Sequence, residues 1–356
     1  MTEAHRTPSP RQVLDAALRL ALTTLAPVAM TLALASLLLT ALGVDAISYF
    51  AYVVERGLLT RLGLEQSLTR MAPLLLLAAS LIVAFRAGVW NLGVDGQSLL
   101  AAVAAAAIVP ALAGLWPRAL SLLAGLGVAA AVGALWALLP ALLRAYQGVN
   151  EIITTLMMTF LGSSLANALI KLVLLDPATT VPQTRTLPVD DRLPRLFGTT
   201  VGSGLLIGLA LLVVTHLVLT RTAFGLRLQV LGINPRAARH AGLSGARLIL
   251  AALLLSGALA GLAGAVDVLG VHGNVRADWN PAYGLLVVPL VFLARLNGLA
   301  AILFVFLFAV LSIGGESAAR RLGVPHYVNL VIVAVLLVAS ALGERLDRSR
   351  TRRVGG

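Results

Sequence analysis

Two short polar stretches interrupt the most apolar part of the chain. Residues 86–97 read RAGVWNLGVDGQ and set Asn91, Asp95 and Gln97 between the apolar runs 73–85 and 98–116. Residues 148–158 read GVNEIITTLMM and open a further apolar run with Asn150 and Glu151. Amide and carboxylate side chains so placed can touch a passing solute or hold a broken helix together. Trp90, Leu92 and Val94 alternate with Asn91, Gly93 and Asp95, a pattern that fits packed, non-helical backbone better than a solvated loop. Such backbone is tolerated at membrane depth only inside protein or along water. Asp95 is expected to cap the helix that follows, with Gly96 and Gln97 in its first turn. Asn150 and Glu151 suit a helix start, where an acid favours the dipole, or a gate or partner contact at a channel mouth.

Other chemistry is excluded by residue type. The chain has no cysteine, which removes disulfides, thiol catalysis and thiolate-held metal. His216 and Lys171 stand near ends of apolar runs and neither has a second histidine or acid at ligand spacing, so no metal is expected. No Gly-rich loop ending in Gly-Lys-Ser/Thr occurs, so the chain should bind neither ATP nor another cofactor itself. No clustered set of acids and histidines supports a lipid-processing enzyme.

The elements that must carry these residues are membrane helices. The 356 residues are 59% hydrophobic and 12% charged, against about 45–50% and about 25% in soluble domains. Apolar runs near 20 residues suit helices crossing a core about 30 Å thick, and no strand-like alternation supports a barrel. The fold class is therefore an all-α integral membrane protein, one transmembrane domain over 1–356. Ten segments are expected, at 18–43, 71–87, 97–115, 118–140, 152–175, 203–219, 248–270, 282–295, 298–315 and 327–343. The eighth is short, contains Pro289 and suits a broken or re-entrant helix. The first apolar run exceeds the about 7–15 residues of a secretory signal core, so a retained helix is expected.

Charge orients the segments. Residues 220–247 carry five arginines and no acid, and the tail 344–356 carries five arginines against two acids. The expected outer connectors 44–70 and 176–202 each balance three acids with three arginines. The positive-inside rule then puts the N-terminal segment 1–17, the 220–247 loop, the tail and both termini in the cytoplasm. The net charge of +12 is explained by topology, so membrane lipid and not nucleic acid is the expected polyanion. Only Lys171 among 27 basic residues is a lysine, and the Arg, Ala, Leu and Gly bias suggests a GC-rich bacterial genome. The proline-rich 176–202 stretch reads as an extracytoplasmic loop with a short helix, either a plain connector or a contact surface.

Within 220–247, Asn234 is a good N-cap and Pro235 a good first residue, Ala237 and Ala238 favour helix, and Gly242 suits a left-handed C-cap. A helix of about two turns follows, flanked by Arg236 and Arg239, which can pair with acids of another protein or rest on anionic lipid. Gly257, Gly261 and Gly264 form a small-residue stripe for close helix packing. Asp267 beyond it is either an interfacial acid or a residue of a solute path. The runs 72–78, APLLLLA, and 288–294, VPLVFLA, echo each other weakly, as repeats in transporters do.

The stretch TRTAFGLRLQVLGINPRAARHAGL, followed by LSGALAGLAGA at 255–265, resembles the permease subunit of bacterial ABC importers that handle branched-chain amino acids, simple sugars and nucleosides. FRAGVWNLGVDGQSLLAA and GVNEIITTLMM are similar to two further signatures of that family, in the same order, and GVNE with VLGVHG leans toward the nucleoside and simple-sugar branch. The stretch 282–298 departs from the family pattern, with Pro289 and Val291 in place of small residues. The resemblance implies a type II importer-like permease in the bacterial inner membrane and a coupling helix in 232–245 formed by Gly232, Asn234, Pro235, Arg236, Ala237, Ala238, Arg239 and Gly242. It implies a separate cytoplasmic ATPase that holds ATP and Mg, a second permease subunit, identical or not, and an extracytoplasmic binding protein or lipoprotein. The expected function is import of a small polar solute, a nucleoside or simple sugar, by alternating access. A branched-chain amino acid permease and an ion-coupled secondary transporter are the alternatives; the latter would need ionisable residues at mid-membrane, where Asp95 is the main candidate.

Overall fold

The computed structural model describes residues 29–196 and 198–323, with isolated positions 331 and 335. The tenth expected segment, 327–343, lies outside the described residues but for those two positions. The 1–17 segment, the start of the first segment and the 344–356 tail also lie outside them.

The described chain is helical: α1 (Ala29–Ala41), α2 (Ala46–Val54), α3 (Arg61–Arg86), α4 (Val94–Leu112), α5 (Arg118–Gln147), α6 (Glu151–Leu172), α7 (Gly204–Arg221), α8 (Ala223–Ile233), α9 (Pro235–His240), α10 (Gly245–Asp267), α11 (Tyr283–Leu293) and α12 (Gly298–Leu322). Among the described residues seven helices are long and apolar enough to cross a membrane, or eight if the sharply bent pair Ala29–Ala41 and Ala46–Leu59 is one span. That is fewer than the ten expected segments. Besides the undescribed tenth, the eighth falls short: α11 has 11 residues, about 16 Å at 1.5 Å per residue, half of a core about 30 Å thick.

Residues 57–313 form one compact unit. Its centre is α3, whose residues from Met71 to Ala84 are all buried, as befits a helix apolar on every side. Beside it lie α7 and α10, and α10 packs on α3, α4 and α5. The α10–α5 approach depends on glycine: a Cβ on Gly133 would sit 2.8 Å from the Gly261 Cα, and Gly257 abuts the same turn. The expected stripe is thus a helix seam. By contrast α5, α6 and α7 turn leucines and aromatics outward, such as Leu135, Phe160 and Leu206, the faces that hydrocarbon would cover.

The 44–70 stretch, expected as an outer connector from its balanced charges, is helix and not loop. It is helical almost throughout, through α2, a π-turn at Glu55–Leu59 and the first ten residues of α3. Its acids are used in place: Asp45 caps α2 by accepting from the Ser48 amide at 3.0 Å, and Glu65 accepts from Arg61 Nε at 2.9 Å and from the Thr200 amide at 2.9 Å. Paired charges of this kind look like a loop in a linear reading.

Two ends of the 57–313 unit are distinct. At one end the 176–202 stretch folds against 268–277: the Leu187 amide donates to Gly273 O at 2.8 Å and the Leu193 amide to Leu269 O at 2.9 Å. Leu187 and Leu193 are buried, and the expected short helix is a single 3-10 turn, Val189–Asp191. At the other end the α3–α4, α5–α6, α7–α10 and α11–α12 connectors gather, and Arg86 Nη2 donates to Leu296 O at 3.2 Å.

The other unit comprises residues up to 56 together with those from 314. Within it the Arg56 and Arg321 guanidinium groups lie over the Tyr52 ring at 5.5 and 5.1 Å.

Candidate functional site

After Arg86 the chain leaves α3, turns back into the protein and resumes helix only at Val94. Asn91 and Gln97 are fully buried there. Their amides pair both ways, Asn91 Nδ2 to Gln97 Oε1 at 2.9 Å and Gln97 Nε2 to Asn91 Oδ1 at 3.1 Å. Asn91 Nδ2 also donates to Ser256 Oγ at 2.8 Å, and Asn91 Oδ1 accepts from the Gly93 amide at 3.0 Å. Ser80 of α3 completes the group, donating to Ser256 O at 2.7 Å. Ser256 is eleven residues along α10, about 16 Å from its start at 1.5 Å per residue. The crossing 87–93 therefore lies deep in the protein, and its polar groups are satisfied by side chains because no solvent is at hand.

Helix α6 braces the crossing from the other side. Thr155 Oγ1 accepts from the Leu92 amide at 3.1 Å, and Thr159 Oγ1 donates to Leu92 O at 2.9 Å. Asn150 caps α6 as expected, accepting from the Ile152 amide at 2.9 Å. Glu151 does more than favour the helix dipole. Its Oε2 lies 3.1 Å from Arg144 Nε of α5, its Oε1 accepts from the Trp90 amide at 3.4 Å, and its side chain is only 9% exposed.

Asp95 is not the cap of α4. Gly93 holds that position, and Asp95 sits inside the first turn. Its Oδ1 accepts from the Gly284 amide at 2.7 Å, so the carboxylate serves the start of α11, a half-length helix that begins in the interior. Two helix N-termini thus converge on one buried carboxylate, which offsets both partial positive charges. The other end of α11 packs by aromatic rings: Phe292 stacks on Phe85 at 5.0 Å, and Trp90 lies 5.6 Å from Phe292.

The short helix of the 220–247 loop forms as its sequence predicts. Asn234 accepts from the Arg236 and Ala237 amides at 3.1 and 3.0 Å, Pro235 is the first residue, and Gly242 is left-handed at φ +75°. Arg236, Ala237 and Arg239 are exposed and Ala238 is buried. Gly232, at the foot of this helix, meets the start of the crossing: a Cβ on Gly232 would strike Arg86 O, and one on Gly88 would lie 2.9 Å from the Gly232 Cα.

The structure thus brings Asn91, Gln97, Asn150 and Glu151 into one braced core, puts Asp95 on its α11 side, and connects 232–242 to it through backbone. Ser80, Ser256, Thr155, Thr159 and Arg144 belong to the same core and were missed. The single serines in the apolar runs LLAASLIV and LLLSGAL are the signal that could have found two of them. Among the described residues no group of three metal-ligating side chains occurs.

Comparison with known proteins agrees with this architecture. Residues 63–340 match the family model described as branched-chain amino acid transport system / permease component. The chain is 33% identical over 337 residues to the glucose ABC transporter permease protein TsgB13 of Haloferax volcanii, covering 90% of this chain and 86% of the relative. It is 28% identical to the guanosine ABC transporter permease protein NupP of Bacillus subtilis, over 82% and 84% of the two chains. It is 26% identical to the nucleoside ABC transporter permease protein NupB of Lactococcus lactis, over 76% and 77%. No solved structure matches the chain significantly. The deep polar crossing, the seam of small residues and the helical loop are therefore parts of a multi-pass inner-membrane transport component, and the chain belongs to the branched-chain amino acid transport system permease family of ABC transporter permeases.

Proposed function

We propose that the chain is the membrane subunit of an ATP-driven importer for a neutral, hydroxyl-bearing solute, a simple sugar or nucleoside, working by alternating access. One observation carries the reading: α9 stands exposed with Arg236 and Arg239 outward, while Gly232 at its foot touches the backbone of the crossing that holds Asn91, the partner of Gln97. A push on α9 by a cytoplasmic ATPase reaches the centre of the membrane through one contact. Energy then comes from ATP and Mg on that partner. A second permease subunit and an extracytoplasmic binding protein complete the assembly, and about ten apolar segments leave both termini in the cytoplasm.

Sidedness follows from charge. The end that holds α9 also carries Arg86, Arg144, Arg221, Arg227, Arg247 and Arg295, as a cytoplasmic face does. The relatives' names favour sugar or nucleoside over amino acid.

The test is reconstitution in vesicles with the ATPase and binding protein of the same organism. Uptake of glucose or guanosine should require ATP and survive collapse of ion gradients; uptake driven by an ion gradient without ATP overturns the reading. R236E/R239E should release the ATPase on co-purification and abolish uptake while the permease stays folded in the membrane. Unchanged association and uptake would remove α9 from the coupling role.

A further inference from the structure

Tyr52 of α2 and Arg56 of the π-turn after it share an open cleft with Ser317, Arg320 and Arg321 of the last two turns of α12. All five belong to the unit made of residues up to 56 and from 314. The cleft has room of about 330 Å³, within the range for small-molecule sites. Its lining holds three arginines and no carboxylate. Two of the guanidinium groups, those of Arg56 and Arg321, are steadied over the Tyr52 ring. Arg320 is exposed and has no hydrogen-bond or ion-pair partner among the described residues.

Two ordinary roles for arginine do not account for this group. The first is topology. Helix α12 begins at the end that holds α9, where a Cβ on Gly298 would lie 2.9 Å from the His216 Cβ. Its 25 residues span about 37 Å at 1.5 Å per residue, enough to cross a core about 30 Å thick. Arg320 and Arg321 therefore stand at the opposite membrane edge. The orientation proposed above makes that edge the outer one, where the positive-inside rule calls for no arginines. The second role is simple snorkelling, in which a long cationic side chain reaches into water on its own. Three such charges around one cleft repel one another, and a bound anion relieves that repulsion.

The anion is identified by geometry and surroundings. Guanidinium forks match the oxygens of a phosphate, and the hydroxyl groups of Tyr52 and Ser317 can each donate one more hydrogen bond. Val54 and Leu322, next to this group in the chain, are exposed. A soluble phosphate makes no use of such side chains, whereas acyl chains cover them. A cationic headgroup is repelled, so the lipid carries net negative charge. We propose that this cleft holds the phosphate of an anionic phospholipid, with Arg56, Arg320 and Arg321 around it and the acyl chains lying along α2 and α12. The site goes beyond the transport reading, and its occupancy requires neither ATP nor solute.

Arg320 is the clean position to change, since R320Q removes no contact among the described residues. Arg185, in the 176–202 stretch, is likewise exposed and without a partner among the described residues, so R185Q is the matched control. Full-length permease in neutral detergent is titrated with dioleoyl phosphatidylglycerol, and the one-to-one adduct is read by native mass spectrometry. R320Q should weaken the adduct about tenfold, the loss of one hydrogen bond to a charged group. R320K should weaken it less, and R185Q should leave it unchanged. Glycerol 3-phosphate, the headgroup without chains, should displace the lipid only at far higher concentration. Equal behaviour of R320Q and R185Q overturns the site. Displacement by glycerol 3-phosphate at the concentration of the lipid also overturns it, and assigns the cleft to a soluble phosphate. An R320Q permease that keeps the lipid and instead loses the extracytoplasmic binding protein on co-purification overturns it in favour of a docking surface.

Discussion

Gly232 and Gly88 touch through backbone, the first at the foot of the exposed helix α9 and the second at the start of the buried crossing; a Cβ on Gly88 would lie 2.9 Å from the Gly232 Cα. Side chains bend, whereas two packed backbones move together. G232A places a methyl against Arg86 O and should cost about 1–3 kcal/mol, as overpacking does. Thermal unfolding in detergent checks the loss of stability. The ratio of solute moved to ATP hydrolysed should fall further in G232A than in G127A on the open face of α5, where a Cβ meets nothing within 4 Å.

The Asn91 amide is the hub of the deep polar group, with Gln97, Ser256 and the Gly93 amide as partners. N91A strands buried donors and acceptors and should destabilise by about 1–3 kcal/mol for each group left unmatched. S80A removes a single donor whose partner Ser256 remains engaged by Asn91, and should cost about 1 kcal/mol. Denaturation midpoints of the two variants, measured side by side, give the order; a larger loss for S80A would contradict the assigned geometry.

Arg144 and Glu151 join α5 to α6 at 3.1 Å, with Glu151 buried and Arg144 one-third exposed. R144M leaves a buried carboxylate with only the long Trp90 contact, and should cost up to about 3 kcal/mol, the low end for breaking a buried pair. E151Q should cost less, because Arg144 can turn to water. In a double-mutant cycle the combined variant should be more stable than the sum of the single losses.

Ala282, immediately before α11, has φ +50°, a left-handed conformation that costs a residue with a Cβ about 1–2 kcal/mol. A282G should recover part of that, about 1 kcal/mol, read as a higher unfolding temperature. If the left-handed residue instead fixes the approach of α11 to Asp95, the same variant should slow uptake despite its added stability, which the vesicle assay reports separately.

These elements differ in how far the sequence reveals them. The α9 cap, the Asn150 cap and the glycine seam are local or strictly periodic, so Asn234, Pro235, Gly242, Gly257 and Gly261 announce them. Departure from helix in 86–97 is equally visible, because three glycines and three polar residues have no place in a simple span. What stays hidden depends on partners far along the chain. Asp95 looks like a cap because caps are acids before apolar runs, but the Gly284 amide, 189 residues away, takes its carboxylate. Glu65 and Thr200 are 135 residues apart, which is why a helical stretch reads as a charged connector. Ser80 and Ser256 are too small to disturb the hydropathy of their helices, and only their meeting makes them significant.

The mooring of α11 has a mechanical corollary. One carboxylate of α4 holds the first turn of a half-length helix, and the opposite tip rests on the flat stack of Phe85 and Phe292. A point attachment fixes distance and leaves angle free, and stacked rings slide at little cost. The short helix, packed along its flank on α3, is therefore moored to α4 by one polar contact and to the end of α3 by rings alone, so a shift of α4 is passed to its first turn before its tip.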